Sequence, residues 1–189
     1  YEIGSGLVGS EMCIRDRVGS TGVIGQPLSI KPIKARIPTL AKELSSKKSG
    51  DACEAIMTTD TRKKELAVEF EIEGRKCHVG GISKGSGMIA PNMATMLGFI
   101  TTDVAICHEL LEKALRKVNQ LTYSMVSVDG DTSTNDTVLL LASGLSGAEI
   151  AEGTPDYDTF VAALTEVAEH LSRELAGDGE GATKLLECT

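Results

Sequence analysis

The run KGSGMIAPNMATMLGFITTD, from Lys84 to Asp103, holds two hydroxyls that could act as nucleophiles, Ser86 and Thr95, and no charged side chain between its ends. Ser86 stands in G-S-G and not in a G-x-S-x-G elbow, and no histidine is near it in sequence, so a Ser-His-Asp hydrolase would have to recruit distant histidines. Lys84 precedes the glycines instead of ending them, which rules out a G-x-x-x-x-G-K-[ST] phosphate loop. Thr95 needs a base to become nucleophilic. Its own α-amine would serve once the preceding peptide bond is cut, which is the N-terminal-threonine form of triad chemistry. A small Ala94, a tight Pro91–Asn92 segment and a following strand suit a strained, self-cleaving bond. A threonine buried in a strand fits the same spacing and is the simpler reading on local sequence alone.

Two further groups carry polar chemistry. Ser20-Thr21-Gly22 sets a hydroxyl beside a flexible backbone N–H, the parts of an oxyanion hole, although a plain turn is the simpler local reading. VDGDTSTND, Val128 to Asp136, has the D-x-D of an aspartyl phosphatase loop, built on Asp129 and Asp131, but no later acidic pair to hold magnesium. It fails as an EF-hand, because Thr134 replaces the glycine and Leu140 the final acid. A loop that caps its own backbone with Asp, Ser and Thr side chains is the simpler reading.

Composition narrows the classes. A net charge of −8, 3% aromatics and no tryptophan argue against a nucleic-acid binder. The two basic clusters, Lys47–Lys48 and Arg62–Lys64, read as solvated loops. No apolar run approaches the ~18 residues of a membrane span. Cys13, Cys53, Cys77, Cys107 and Cys188 form no C-x-x-C pair and read as free, mostly buried thiols. His78, His108 and His170 lack ligand spacing, so no metal site is expected.

The elements that must position these groups follow from periodicity. Residues 1–17 show no period and resemble adapter-derived sequence, so they are set aside as a non-native segment. A Pro-punctuated stretch, QPLSIKPIKARIP, leads to a short helix over 39–45, and KKSGD reads as a loop. Leu66, Val68, Phe70 and Ile72 alternate as a half-buried strand, with a turn at Gly74 and a returning strand through Cys77 and Val79. Strands are expected at 96–101, 125–128 and 184–188, with an apolar run at 138–142. One helix starts at Asp103, with Leu110, Leu111, Ala114, Leu115 and Val118 inward. A second follows Thr154-Pro155, with Phe160, Leu164, Val167, Leu171 and Leu175 inward. The interleaving predicts mixed α/β layers without a strict βαβ beat.

STGVIGQPL, AIMTTDT, GGISKGSGMIAPNMATMLGFITTD, VDGDTSTNDTVLLLA and GDGEGATKL, in that order, resemble the ornithine acetyltransferase family, the bifunctional glutamate N-acetyltransferases of arginine biosynthesis. The resemblance runs from Val18 to the end. It implies the mixed-sheet layered α/β fold shared by DmpA and the ornithine acetyltransferases, of the self-cleaving N-terminal-threonine nucleophile type. Cleavage would fall between Ala94 and Thr95, making 18–94 the end of an α chain and 95–189 the start of a β chain. It further implies acetyl transfer from N-acetylornithine to glutamate through acetyl-Thr95, with Thr21 and Gly22 as oxyanion hole and Thr58, Lys84, Thr95 and Glu180 contacting substrate. No cofactor is implied; acetyl-CoA remains open as a second acetyl donor. A cytoplasmic α2β2 assembly is expected. The family pattern begins before STG and continues past Thr189, where an asparagine and a hydroxyl residue complete its substrate site, so the chain reads as an internal fragment. A related N-terminal-nucleophile aminopeptidase and an inactive fragment are the alternatives.

Overall fold

The computed structural model describes residues 19–21, 25–89, 96–131, 133 and 135–188. Its elements are α1 (Ile30–Lys42), α2 (Ser49–Ile56), β1 (Lys64–Ile72), β2 (Arg75–Lys84), β3 (Leu97–Thr102), β4 (Ala105–Ile106), α3 (His108–Leu121), a 3₁₀ turn (Tyr123–Met125), β5 (Thr137–Ala142), β6 (Glu149–Ile150) and α4 (Pro155–Gly177). The main sheet has the order β1-β2-β3-β5, the first two pairings antiparallel and the last parallel. A mixed α/β layering is therefore present, as expected.

β1 and β2 form a hairpin because Glu73 and Gly74 both take positive φ, 49° and 75°, which matches the twist of a tight two-residue turn. Period-two alternation turns Leu66, Val68, Phe70 and Ile72 toward the helices and leaves Glu65, Glu69 and Glu71 in water. α4 covers that face, with Phe160, Leu164, Leu171 and Leu175 fully buried, and Phe160 packs obliquely on Phe70 at 6.3 Å between ring centres. Gly81 permits this approach, since a Cβ there would lie 3.0 Å from Leu171 Cδ1 and 3.1 Å from Ile100 Cγ1. Pro155 opens α4 after Thr154, where its missing N–H has no partner to lose. α3 packs beside α4 through Leu110, Ala114 and Val118, with Leu111 half-buried against the same core.

Several local expectations are corrected. α1 starts at Ile30, not at residue 39, and runs through two prolines: Pro32 sits in the first turn, where no helical N–H bond is lost, and only Pro38 interrupts the ladder. None of its residues is buried. Ser49–Asp51, read as loop, begin α2. Asp103 starts no helix; its carboxylate accepts the backbone N–H of His78 at 2.8 Å and the His78 ring at 2.7 Å, and α3 begins only after β4. The 125–128 stretch is no strand, because Val128 and Asp129 both donate to the Ile89 carbonyl, in a loop and not a strand. Residues 184–188 form no strand either, and Leu185 and Leu186 are exposed. Of the described thiols, Cys53 and Cys77 are buried while Cys107 and Cys188 are exposed; all four are free. Among the described residues, no helix is long and apolar enough to cross a membrane.

Candidate active site

One end of the sheet gathers the polar motifs. β2 ends at Lys84 and β3 begins at Leu97, and these two residues are register partners, so they share a sheet face. Leu97 pairs in turn with Thr137 at the start of β5. Residues 85–89 and Met96, with the acidic loop that precedes β5, therefore sit at this edge.

Lys84 is 3% exposed, and its Nζ donates to Thr58 Oγ1 at 2.9 Å. No carboxylate pairs with it among the described residues. Burial lowers its pKa below the ordinary lysine value, with the Asp60 charge opposing and the Lys64 charge assisting. An ammonium held with one neutral partner is a site for an incoming anion. Gly85 follows with φ of 151°, a region reserved for glycine, and its N–H donates to Asp60 Oδ1 at 2.6 Å. Ser86 Oγ shares a hydrogen bond with Thr59 Oγ1 at 2.5 Å, so the serine hydroxyl has a structural partner. The Ser86 carbonyl accepts the N–H of Glu180, also at 2.5 Å. Gly87 meets the Glu180 side chain, where a Cβ would stand 2.8 Å from Oε2. Thr58, Lys84 and Glu180, three predicted substrate contacts, are thus brought around one turn.

The acidic loop grips both flanks of residues 90–95. On the upstream side, Asp129 accepts the N–H groups of Met88 and Ile89, the latter at 2.9 Å, as well as that of Asp131 at 3.1 Å. Burial alone would raise the Asp129 pKa; the three N–H groups outweigh it and leave it lowered. Met88 itself has φ of 58°, a strained value for a non-glycine residue. Downstream, Asp136 Oδ1 accepts the N–H of Met96 at 2.9 Å, while Oδ2 is buried without a partner. Burial raises the Asp136 pKa against the opposing N–H of Met96 and the Ser133 hydroxyl. The loop does cap backbone, as its composition implies, but the backbone it holds belongs largely to another segment.

Beneath this turn lies a charged cluster that sequence reading missed. Lys64, read as part of a solvated basic loop, is 1% exposed and donates to Asp60 Oδ1 at 2.8 Å and to Asp178 Oδ2 at 2.5 Å. Only its neighbours behave as expected: Arg62 and Lys63 are partly exposed and pair with Glu174 and Glu54. Asp178 also accepts the Thr61 N–H at 3.0 Å and the Thr61 hydroxyl. Burial favours protonation of Asp60, but the Gly85 N–H, Lys64 and the Thr58 N–H prevail and hold its pKa below the ordinary range. Asp178 is likewise lowered, burial being outweighed by Lys64 and Thr61. The signal available in sequence was slight: Asp60 lies inside TTDT and Asp178 inside GDGEG, where Thr58 and Glu180 draw attention first.

Thr21 is half-buried, two residues after Gly19, which packs on Leu97 and Phe99. A Cβ added to Gly19 would stand 3.3 Å from the Phe99 ring edge. That contact brings the Ser20–Thr21 segment to the start of β3. Gly22, Ala94 and Thr95 lie outside the described residues.

Four of the motifs quoted above are joined at this edge through their described residues, and Gly19, next to the fifth, packs against the start of β3. A family model for the ArgJ family matches residues 11–189. The chain belongs to the ArgJ family. It is 53% identical over 171 residues to the arginine biosynthesis bifunctional protein ArgJ of Symbiobacterium thermophilum, covering 90% of this chain and 42% of that protein. The ArgJ protein of Bacillus subtilis is 50% identical over the same length and coverage. A crystal structure of the ArgJ protein from Bacillus halodurans matches at 45% identity and a TM-score of 0.44, over 46% of this chain and 41% of that one. The chain thus spans less than half the length of these ArgJ relatives.

Proposed function

We propose that this chain is part of an enzyme that moves an acetyl group from N-acetylornithine to glutamate through an acetyl-Thr95 intermediate. The observation that carries the reading is the convergence of Lys84, Thr58 and Glu180 on the turn that leads toward Thr95. Lys84 is a buried cation awaiting a carboxylate, and Glu180 is an exposed anion suited to an ammonium. N-acetylornithine carries both groups.

The precursor cuts itself between Ala94 and Thr95, so that 18–94 belong to an α chain and 95–189 to a β chain. Asp129 and Asp136 hold the two flanks of that segment. Thr95 Oγ then attacks the acetyl carbonyl while its proton passes to the freed α-amine. Thr21 Oγ and Gly22 N–H stabilise the oxyanion, a donor of this kind being worth about 2.7–4 kcal/mol. The tetrahedral species collapses, the C–N bond breaks, and the ornithine amine leaves with the proton. Glutamate enters, its neutral amine attacks the acetyl-threonine ester, and N-acetylglutamate departs with Thr95 regenerated. The site uses no cofactor; acetyl-CoA would enter as an alternative acetyl donor to the same threonine. The assembly is α2β2 and the compartment cytoplasmic.

The test is transfer of labelled acetyl from N-acetylornithine to glutamate by the full-length gene product. Labelled N-acetylglutamate is expected; peptide hydrolysis without acetyl transfer would place the site among the N-terminal-nucleophile aminopeptidases instead. A subtler check uses Gly87→Ala. The added methyl pushes on the far end of Glu180, a flexible side chain, so stability should hardly change. KM for N-acetylornithine should rise about tenfold, the cost of a weakened charged contact. Thermal melts beside steady-state kinetics would measure both.

A further inference from the structure

We infer that the buried Asp60–Lys64–Asp178 cluster is the positioning frame of the substrate pocket, setting Thr58 and Lys84 on one side and Glu180 on the other. This rests on the acetyl-transfer reading above and adds three residues to it.

The geometry is that of a hub. Lys64 Nζ stands between Asp60 Oδ1 at 2.8 Å and Asp178 Oδ2 at 2.5 Å, and all three side chains are buried. Each carboxylate spends its remaining capacity on a segment of the pocket. Asp60 accepts the N–H of Thr58 at 3.1 Å and of Gly85 at 2.6 Å, the residue after Lys84. Asp60 therefore ties the Thr58 backbone to that of Gly85, next in the chain to the Lys84 whose Nζ meets Thr58 Oγ1 at 2.9 Å. Asp178 accepts from Thr61 through both backbone and hydroxyl, locking the far end of the same loop, and it stands two residues before Glu180. The Glu180 N–H then closes the circuit on the Ser86 carbonyl.

The cluster also sets charge. Burial disfavours the ammonium form of Lys84; within the cluster the Asp60 carboxylate favours that form and the Lys64 charge opposes it. Because that carboxylate is already engaged by Lys64 and two N–H groups, it does not occupy the Lys84 ammonium itself. The Lys84 ammonium is thereby left open to a ligand carboxylate. A cluster needed only for stability would have no reason to grip the residues on either side of three ligand-facing groups.

The experiment uses the full-length protein carrying Asp60→Asn, Asp178→Asn, or the charge-free combination Asp60→Asn, Lys64→Met and Asp178→Asn, each also in a Lys84→Met background. KM for N-acetylornithine should rise about tenfold or more in each, the scale of a misplaced charged hydrogen bond, with kcat little changed. With Lys84→Met already present, Asp60→Asn should add almost nothing, because residues acting through one contact are not additive. The combined variant removes every charge of the cluster, and in the Lys84→Met background the neighbouring Lys84 charge as well, so it reports on positioning even where a single variant folds poorly. Unchanged KM in the soluble variants, or a full additive effect of Asp60→Asn in the Lys84→Met background, would overturn the proposal. A wild-type protein that transfers no acetyl would instead sink the reading beneath it.

Discussion

Lys64→Met is expected to destabilise the full-length protein by about 3–5 kcal/mol, the cost of leaving buried charge uncompensated. Removing the ammonium leaves Asp60 and Asp178 facing each other with side chains 0% and 4% exposed. Neutralising all three residues should recover most of that loss, since a buried ion cluster contributes little net over neutral groups of similar shape. The pH dependence has a definite sign. Both carboxylates have folded pKa values below the ordinary 3.8. Their contribution is therefore present above that value and is lost as pH falls through the lower folded values. Melting temperature should drop steeply on the acid side of about pH 4 in the wild type, and less steeply in the charge-free combination. Thermal melts from about pH 7 to pH 3 would show this. A Lys64→Met protein as stable as wild type would mean that the cluster gives the fold no support.

Lys84→Met should do the reverse. Lys84 is as deeply placed as Lys64 but has only the Thr58 hydroxyl as partner, and burial disfavours its charge. A methionine of similar length should leave stability unchanged or raised. Binding of a ligand carboxylate should weaken by about 1.5–3 kcal/mol, roughly tenfold to more than a hundredfold in KM. Since the ammonium form is the one that binds, wild-type KM should climb as pH rises through a Lys84 pKa that lies below 10.5. Lys84→Met should show no such limb. Steady-state kinetics between about pH 7 and 10, with melts at each pH, would check both halves. A large loss of stability without a change in KM would reassign Lys84 to the core.

The two lysines show what was legible in sequence and what was not. Period-two and helical patterns located β1, β2, β3, α3 and α4, because each buries one face against a partner layer and writes that burial into side-chain spacing. The patterns failed where bonding partners, not periodicity, decide. Met125 to Val128 looks like a strand, but Val128 bonds to a loop carbonyl. Ile30 to Pro38 looks broken by prolines, yet one of them sits where a helix tolerates it. At the site, Lys84, Thr58 and Glu180 were found through resemblance, and the structure brings them together. Lys64 could not be read, because its partner Asp178 lies 114 residues away and a basic run next to a loop carries no trace of burial. Asp136 was seen only as part of a polar loop; that its carboxylate holds Met96, next in the chain to Thr95, is a tertiary fact.

The most direct measurement is intact mass of the purified full-length gene product beside its Thr95→Ala variant. Self-processing requires two wild-type species whose masses divide between Ala94 and Thr95, and a single uncut species in the variant. A wild-type protein that stays whole, or one that divides at another bond, would contradict Thr95 as the nucleophile and with it the acetyl-threonine mechanism.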